Sequence, residues 1–222
     1  MSNMRCPICG SNSENGRLLS SKCMFTKRDL VRTECCSCGV VFGPEYMMSS
    51  TDEFISSEYE KLYKTYGEGD TTKYGTQTFN DMSPSKDGTY LDYGCGRWSR
   101  TEEVLSSSGY KVKGYDPYVN VPGEHMIADI SGKTFDGIFS HNVIEHLRDP
   151  VSTFKVLSRM LKPHGIMAHS TECYDYKIEY SQFHLFFFKG TSVERLCDKT
   201  GFSLLDRKTY PEYKCCIFRK DD

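Results

Sequence analysis

The run from Tyr90 to Asp116, YLDYGCGRWSRTEEVLSSSGYKVKGYD, reads as strand, glycine turn, helix, strand and terminal acid, the order of one half of a nucleotide-binding α/β sheet. The short run Tyr90-Leu91-Asp92-Tyr93 stops at Gly94-Cys95-Gly96, where the glycines allow a tight turn and close backbone approach to a ligand. Ser99 with Glu102 three residues on forms a capping box for the helix, Val104 and Leu105 give it an apolar patch, and Ser108-Gly109 stops it. The second strand is then Lys111 to Tyr115. Asp116, twenty residues beyond Gly96, stands at its end, where a carboxylate can accept hydrogen bonds from both hydroxyls of a ribose.

A second segment, Phe135 to Thr171, repeats the alternation of strand and helix. Asp149-Pro150 caps and opens a helix whose Val151, Phe154, Leu157 and Leu161 keep one apolar face, and Lys162-Pro163-His164-Gly165 ends it. Strands fit on both sides, Gly137 to Ser140 before and Ile166 to His169 after. Thr191 with Glu194 caps a last helix that stops at Gly201; Phe202 to Tyr210 and Lys214 to Arg219 then form an antiparallel pair, with Cys215 and Cys216 pointing in and out.

The glycines discriminate between ligands. A dinucleotide fingerprint G-x-G-x-x-G would put its third glycine at Ser99, so the close helix contact of a pyrophosphate site is lost. With Asp92 two residues before Gly94, the segment instead resembles motif I of class I S-adenosylmethionine (AdoMet) methyltransferases, with Trp98 where a third glycine often stands. The strand beginning Phe135-Asp136, then Glu145-His146-Leu147, Asp149-Pro150 and Leu161-Lys162-Pro163-His164-Gly165, is similar to the same superfamily, and the resemblance spans about residues 88 to 205. It implies an α/β fold with a mostly parallel Rossmann-like sheet and an antiparallel last strand. It also implies AdoMet as methyl donor, held by Asp92, Gly94, Cys95, Gly96, Trp98, Asp116, Pro117, Asp129, Ile130 and His141.

The cysteines mark a separate module. Eleven of them in a chain without a basic-then-apolar leader argue for reduced thiols, a cytoplasmic setting and metal ligation over disulfides. Cys6-Pro7-Ile8-Cys9-Gly10 and Cys35-Cys36-Ser37-Cys38-Gly39 are two C-x-x-C-G knuckles, a spacing that lets Cys6, Cys9, Cys35 and Cys38 meet one tetrahedral zinc ion. Cys36 is the alternative to Cys35, and Cys23 reads as an unliganded hairpin residue. A closed set of four ligands makes the zinc structural. The predicted organisation is a zinc ribbon over 1–45, a helical linker or lid over 46–86, and the cofactor domain over 87–222. In the middle segment, Ser50-Thr51-Asp52-Glu53 starts a helix carrying Phe54, Ile55, Tyr59, Leu62 and Tyr63 up to Gly67, its tyrosines forming a lid or acceptor shelf, or packing the helix down.

The cofactor domain looks abbreviated. Pro117 to Gly123 is too short for a crossover helix before a third strand at Glu124 to Ile130, so one sheet face needs cover from the ribbon or from residues 46 to 84. At the end of that strand the resemblance places Asp129 as acceptor from the adenine amino group; a simple turn cap is the other reading.

Methyl transfer needs chiefly alignment, and a hydroxyl acceptor also benefits from a base. The carboxyl ends of the fourth and fifth strands offer His141, Asn142, Glu172 and Tyr174, and the aromatic loop from Tyr180 to Phe188 offers His184. His141 and His184 are the base candidates. Some related methyltransferases bind Mg²⁺ or Mn²⁺ with a Glu three residues before a Glu-His pair and a later His. Here Asn142 holds the first position before Glu145, His146 and His184, and the missing carboxylate disfavours a hard cation, so Glu145-His146 reads as a cap of the following helix. A net charge of −2 counts against a nucleic-acid partner, and no stretch is long and apolar enough to span a bilayer. An N-terminal ribbon before an AdoMet domain resembles bacterial sugar, polysaccharide and natural-product methyltransferases, which implies transfer to an oxygen of a sugar, glycan or small metabolite. The rival readings are an RNA methyltransferase that uses the ribbon for capture and a binding protein with a degenerate pocket.

Overall fold

A computed structural model of the protein describes residues 5–67, 69–97, 100–119, 123–174 and 181–221. In chain order the elements are β1 (Arg17–Lys22), β2 (Asp29–Glu34), β3 (Val41–Phe42), α1 (Glu45–Met48), α2 (Asp52–Tyr66), α3 (Thr72–Asp81), β4 (Thr89–Tyr93), α4 (Thr101–Ser107) and β5 (Lys111–Tyr115). They continue with β6 (Phe135–His141), α5 (Pro150–Met160), β7 (Leu161–Thr171), β8 (Phe186–Phe187), α6 (Ser192–Thr200), β9 (Phe202–Thr209) and β10 (Lys214–Lys220). The chain forms two compact units, one of residues 1–67, 145–153 and 172–200, the other of 68–144, 154–171 and 201–222. Residues 46–86 contribute α2 to the first unit and α3 to the second, and residues 145–153 and 172–200 group with the N-terminal segment.

In the first unit β1 and β2 form an antiparallel hairpin, and the sheet continues β1-β2-β3-β8. Residues 186–187, expected in a loop, instead pair antiparallel with β3, Val41 opposite Phe187 and Phe42 opposite Phe186. The reason is local: the two-residue β3 leaves an edge to be covered, and a run of phenylalanines suits a strand buried on both sides. The Gly43 amide extends the pairing by donating to the Leu185 carbonyl at 3.0 Å. Helix α2 starts as its sequence dictates, with Thr51 accepting from the Phe54 amide, and ends where the Gly67 amide donates to the Tyr63 carbonyl. Its buried Glu58 accepts from Arg28 at 2.6 Å, Lys61 at 2.9 Å and Gln182 at 2.8 Å, so its charge is enclosed with partners, as burial requires.

The second unit is a six-stranded sheet in the order β5-β4-β6-β7-β10-β9. The first four strands run parallel and β10 is antiparallel to both neighbours. Successive side chains alternate faces, which explains why Cys215 and Cys216 are both buried: Cys215 lies in a cluster with Phe79, Tyr90, Phe139 and Ala168, and both sheet faces are covered here. On the other face Phe154 of α5 packs its ring 5.2 Å from His169 and 5.5 Å from Phe218.

Helix α3 is the element the sequence reading lacked, and it supplies the cover expected from residues 46 to 84. Its Phe79 makes edge contacts with Tyr90, Tyr110 and Phe139 at 4.8 to 5.3 Å. Gly75 looks like a helix breaker in the sequence, yet a Cβ there would lie 2.5 Å from the Thr101 hydroxyl, so the glycine serves the close approach of α3 to α4. The predicted third strand shrinks to a single parallel bridge between Gly114 and Met126. A turn at Gly123 to Met126 and the Asp129 turn onto Ser131 leave too little extended chain for more. Among the described residues no helix is long and apolar enough to cross a membrane.

Candidate active site and metal centres

The strand order reverses direction at β4, which lies between β5 and β6, and in open α/β sheets the crevice at such a point collects the ligand. Three chain ends meet there. After β4, Gly94 and Gly96 take φ of 75° and 68°, conformations that a side chain disfavours. The amides of Gly94 and Cys95 both donate to the Tyr115 carbonyl, at 2.7 and 3.3 Å, tying the turn to the end of β5. Asp116 follows immediately: one carboxylate oxygen accepts from the Gly96 amide at 3.1 Å and the other from the Tyr118 amide at 2.8 Å. Two lone-pair positions are thus used, and a carboxylate has about four.

Beneath the turn lies a buried acidic group of side chains. Asp92 is held well above the usual carboxylate range by burial first, then by the charges of Glu102 and Asp116. Burial likewise raises Glu102 and pushes the Cys95 thiol up, so Cys95 stays protonated and unreactive. The predicted capping box of Ser99 and Glu102 involves Ser99, which lies outside the described residues, as does Trp98. The Glu102 side chain turns inward, and Arg100 occupies the N-cap of α4 without a side-chain bond. Pro117 and Asp129 are exposed and Ile130 is half-buried; Asp129 accepts from the Ser131 amide at 2.8 Å, the turn cap that was the other reading.

The end of β6 supplies His141 and Asn142. The His141 ring stacks on Tyr74 at 5.0 Å, meets Tyr213 edge-on at 5.3 Å, and contacts the Ser170 hydroxyl at 2.8 Å through Nδ1. The Ser170 hydroxyl in turn contacts that of Thr78 at 2.5 Å, and Thr78 donates its single proton to the Tyr74 carbonyl at 2.8 Å. That order fixes the rest. Ser170 must donate to Thr78, so Nδ1 of His141 must carry the proton that Ser170 accepts, and Nε2 is left with the lone pair. Burial lowers the pKa of His141 to about 4, so the ring is neutral at ordinary pH. Asn142 adopts a left-handed φ of 52°, and its buried side-chain oxygen has no hydrogen-bond partner among the described residues. Tyr74, Thr78, Ser170 and Tyr213 were not singled out from sequence; the first two sit on the unrecognised α3, where spacing at i and i+4 was the available signal.

A family model described as a methyltransferase domain matches residues 70–206. The chain belongs to this methyltransferase family. The solved structure of 1,6-didemethyltoxoflavin-N1-methyltransferase from Burkholderia thailandensis, with bound 1,6-didemethyltoxoflavin and S-adenosylhomocysteine, is similar at a TM-score of 0.61 and 16% identity, covering 91% of this chain and 100% of that one. The CcbJ methyltransferase from Streptomyces caelestis is similar at a TM-score of 0.50 and 12% identity, covering 70% of this chain and 92% of that one. No curated protein matches by sequence. The expected α/β Rossmann-like methyltransferase fold is the one observed, and the chain is an AdoMet-dependent methyltransferase.

In the N-terminal unit of the methyltransferase the sulfurs of Cys6, Cys9, Cys35 and Cys38 all lie within 4.8 Å of one another. Cys6 to Cys38 and Cys9 to Cys35 are 3.7 Å apart, and a tetrahedron with zinc–sulfur bonds of 2.3 Å has edges of about 3.8 Å. The donor set and spacing thus fit a zinc ion. Cys36 is exposed, while Cys23 is buried at the hairpin tip, where its amide donates to the Arg28 carbonyl at 2.8 Å.

His184, the other base candidate, belongs to this same unit and not to that of His141. Its Nδ1 is 3.5 Å from the Cys173 sulfur and its ring lies 4.9 Å from that of His146. Glu145 and His146 do not cap α5 as expected; they form a 3₁₀ turn, and Asp149 caps the helix by accepting from the Ser152 amide at 2.9 Å. Tyr59 stacks with Tyr63 at 5.8 Å and packs on Phe183 at 4.7 Å, and Tyr174 is buried near Phe188.

Gly114 is where the buried acids leave no room: a Cβ would sit 2.2 Å from Glu102 Oε1 and 2.7 Å from Cys95 Sγ. Gly114→Ala is expected to destabilise the protein by about 1–3 kcal/mol, measured by urea unfolding, although alanine ordinarily stabilises relative to glycine.

Proposed function

We propose that the enzyme binds AdoMet against the Gly94–Gly96 turn and transfers its methyl group to an oxygen of a sugar, glycan or other small metabolite. The observation that carries the cofactor placement is the Asp116 carboxylate, pinned by the Gly96 and Tyr118 amides at the end of β5 with lone pairs remaining for a ribose diol. The side-chain oxygen of Asn142, without a hydrogen-bond partner among the described residues, suits a ligand amino group. When bound, AdoMet supplies a methyl group activated by its sulfonium. The chain's own part is positioning and proton removal: Nε2 of His141 accepts the hydroxyl proton of the acceptor, while Ser170 and Thr78 hold the ring in that tautomer. A small-molecule acceptor is also the kind named for the similar toxoflavin enzyme, although that enzyme methylates nitrogen.

Calorimetry with AdoMet tests the placement. Asp116→Ala should weaken binding at least tenfold, about 1.4 kcal/mol, with the fold intact by circular dichroism; unchanged affinity would remove the proposed ribose clamp. The acceptor class is tested by mass spectrometry of sugars and small metabolites after incubation with methyl-labelled AdoMet, and label found only in RNA would overturn it.

The pH profile tests the base. Because burial lowers the pKa of His141 to about 4, its neutral form persists above that value, and activity should stay level through pH 6.5 and fall only as pH approaches 4. A fall centred near 6.5 that disappears in His141→Gln would show the ring to be solvated instead.

We further propose that the four-cysteine site holds one structural zinc ion. Zinc content by elemental analysis should match the wild type in Cys36→Ser and fall by one per chain in Cys35→Ser, with unfolding of the N-terminal unit on chelation.

A further inference from the structure

The geometry points to a second metal site in the N-terminal unit, formed by Glu145, His146 and His184 and suited to a divalent transition ion of the zinc type. Their ligand atoms all lie within 4.8 Å of one another. The juxtaposition is built by the backbone: the Leu185 amide donates to the Glu145 carbonyl at 2.7 Å, which sets His184 beside the 3₁₀ turn that carries Glu145 and His146. The Leu185 carbonyl is in turn bonded by Gly43, so this approach is anchored on the ribbon's own sheet.

Each ring is oriented from behind. Nδ1 of His146 lies 2.8 Å from the Phe183 carbonyl and 3.0 Å from the Tyr59 hydroxyl; the carbonyl can only accept, so Nδ1 carries the proton, the hydroxyl oxygen faces it, and the lone pair sits on Nε2. That Nε2 is 4.0 Å from Oε1 of Glu145, too long for a hydrogen bond and close to the separation of two donors around a shared ion. A ring nitrogen bonded to a backbone carbonyl behind the ligating one is the support that metal-bound histidines ordinarily have. Nδ1 of His184 rests against the Cys173 sulfur at 3.5 Å, which turns its Nε2 edge away from that contact. Glu145 is fully buried, so a carboxylate ligand here is shielded from water.

The donor set selects the ion. Two imidazoles and one carboxylate match zinc, cobalt and their neighbours, with bonds of about 2.0–2.2 Å, and do not match Mg²⁺, which takes oxygen ligands and keeps its waters. Drawing the three donors to the tetrahedral edge of about 3.4 Å asks each to move by about 1 Å. Unlike the closed cysteine site, three protein ligands leave a position for water or another oxygen ligand. This inference uses residues of one unit only and does not depend on where AdoMet binds.

The test is to load the full chain with one equivalent of zinc, which the cysteines retain, and then titrate Co²⁺. One further equivalent should bind with weak visible bands and no sulfur-to-cobalt charge transfer in the near ultraviolet. His146→Ala and His184→Ala should each abolish it, Glu145→Gln should weaken it at least tenfold, and millimolar Mg²⁺ should not displace it. Circular dichroism checks each variant's fold, and His184→Gln replaces any alanine variant that fails to fold. Wild-type protein that takes up no second ion, or binding that survives both histidine changes, overturns the site; a charge-transfer band would show Cys173 as a ligand and overturn the proposed donor set.

Discussion

The unit built on the six-stranded sheet depends on one backbone junction, the Tyr115 carbonyl that accepts from both Gly94 and Cys95. Through it the turn after β4 and the acid after β5 are held in one frame, and neither can shift without breaking hydrogen bonds that burial makes costly to lose. The positive φ of Gly94 is what permits the contact, and Val143 closes in so tightly behind it that a Cβ would lie 2.7 Å from a methyl carbon. Local chain geometry and tertiary packing thus demand the same residue. The consequence is a carboxylate at Asp116 whose orientation is set by the backbone itself, with no contribution from a bound molecule.

The acids under that turn illustrate how position decides chemistry. Asp92, Glu102 and Asp116 are the same kind of group, yet burial raises Asp92 and Glu102, while Asp116 is half-buried and held by two amides. Burial thus weakens the acidity of the two carboxyls below the turn, which limits the charge gathered there. His141 follows the same rule: the rings around it remove water, and the Thr78–Ser170 pair then decides which nitrogen keeps the proton.

Much of this was legible in the chain. Strands β4 and β5, helix α5 and the β9–β10 pair announce themselves because local signals and tertiary placement agree: apolar runs end at glycines, and Asp149-Pro150 opens a helix in any context. Helix α3 was illegible because Gly75 carries two opposed meanings, breaker in isolation and spacer against Thr101 in the fold. The expected third strand is reduced to one bridge because turns at both ends, invisible in the order of elements alone, consume the extended chain. The role of Glu145 and His146 was misread for a different reason. A pair placed just before a helix resembles a cap, and only the return of Leu185 to the Glu145 carbonyl shows what the two side chains meet.

The pairing of Phe186–Phe187 with Val41–Phe42 also has a consequence for biosynthesis. All four clustered cysteines lie before β3, so the complete cluster is made while most of the polypeptide is still to be synthesised. The outer strand of the same sheet emerges only after the entire parallel core up to β7 has been made. Until then the hydrophobic margin of β3 stays open to other chains, and a truncated product that stops short of Leu185 would carry the full cysteine cluster in an unsealed N-terminal module.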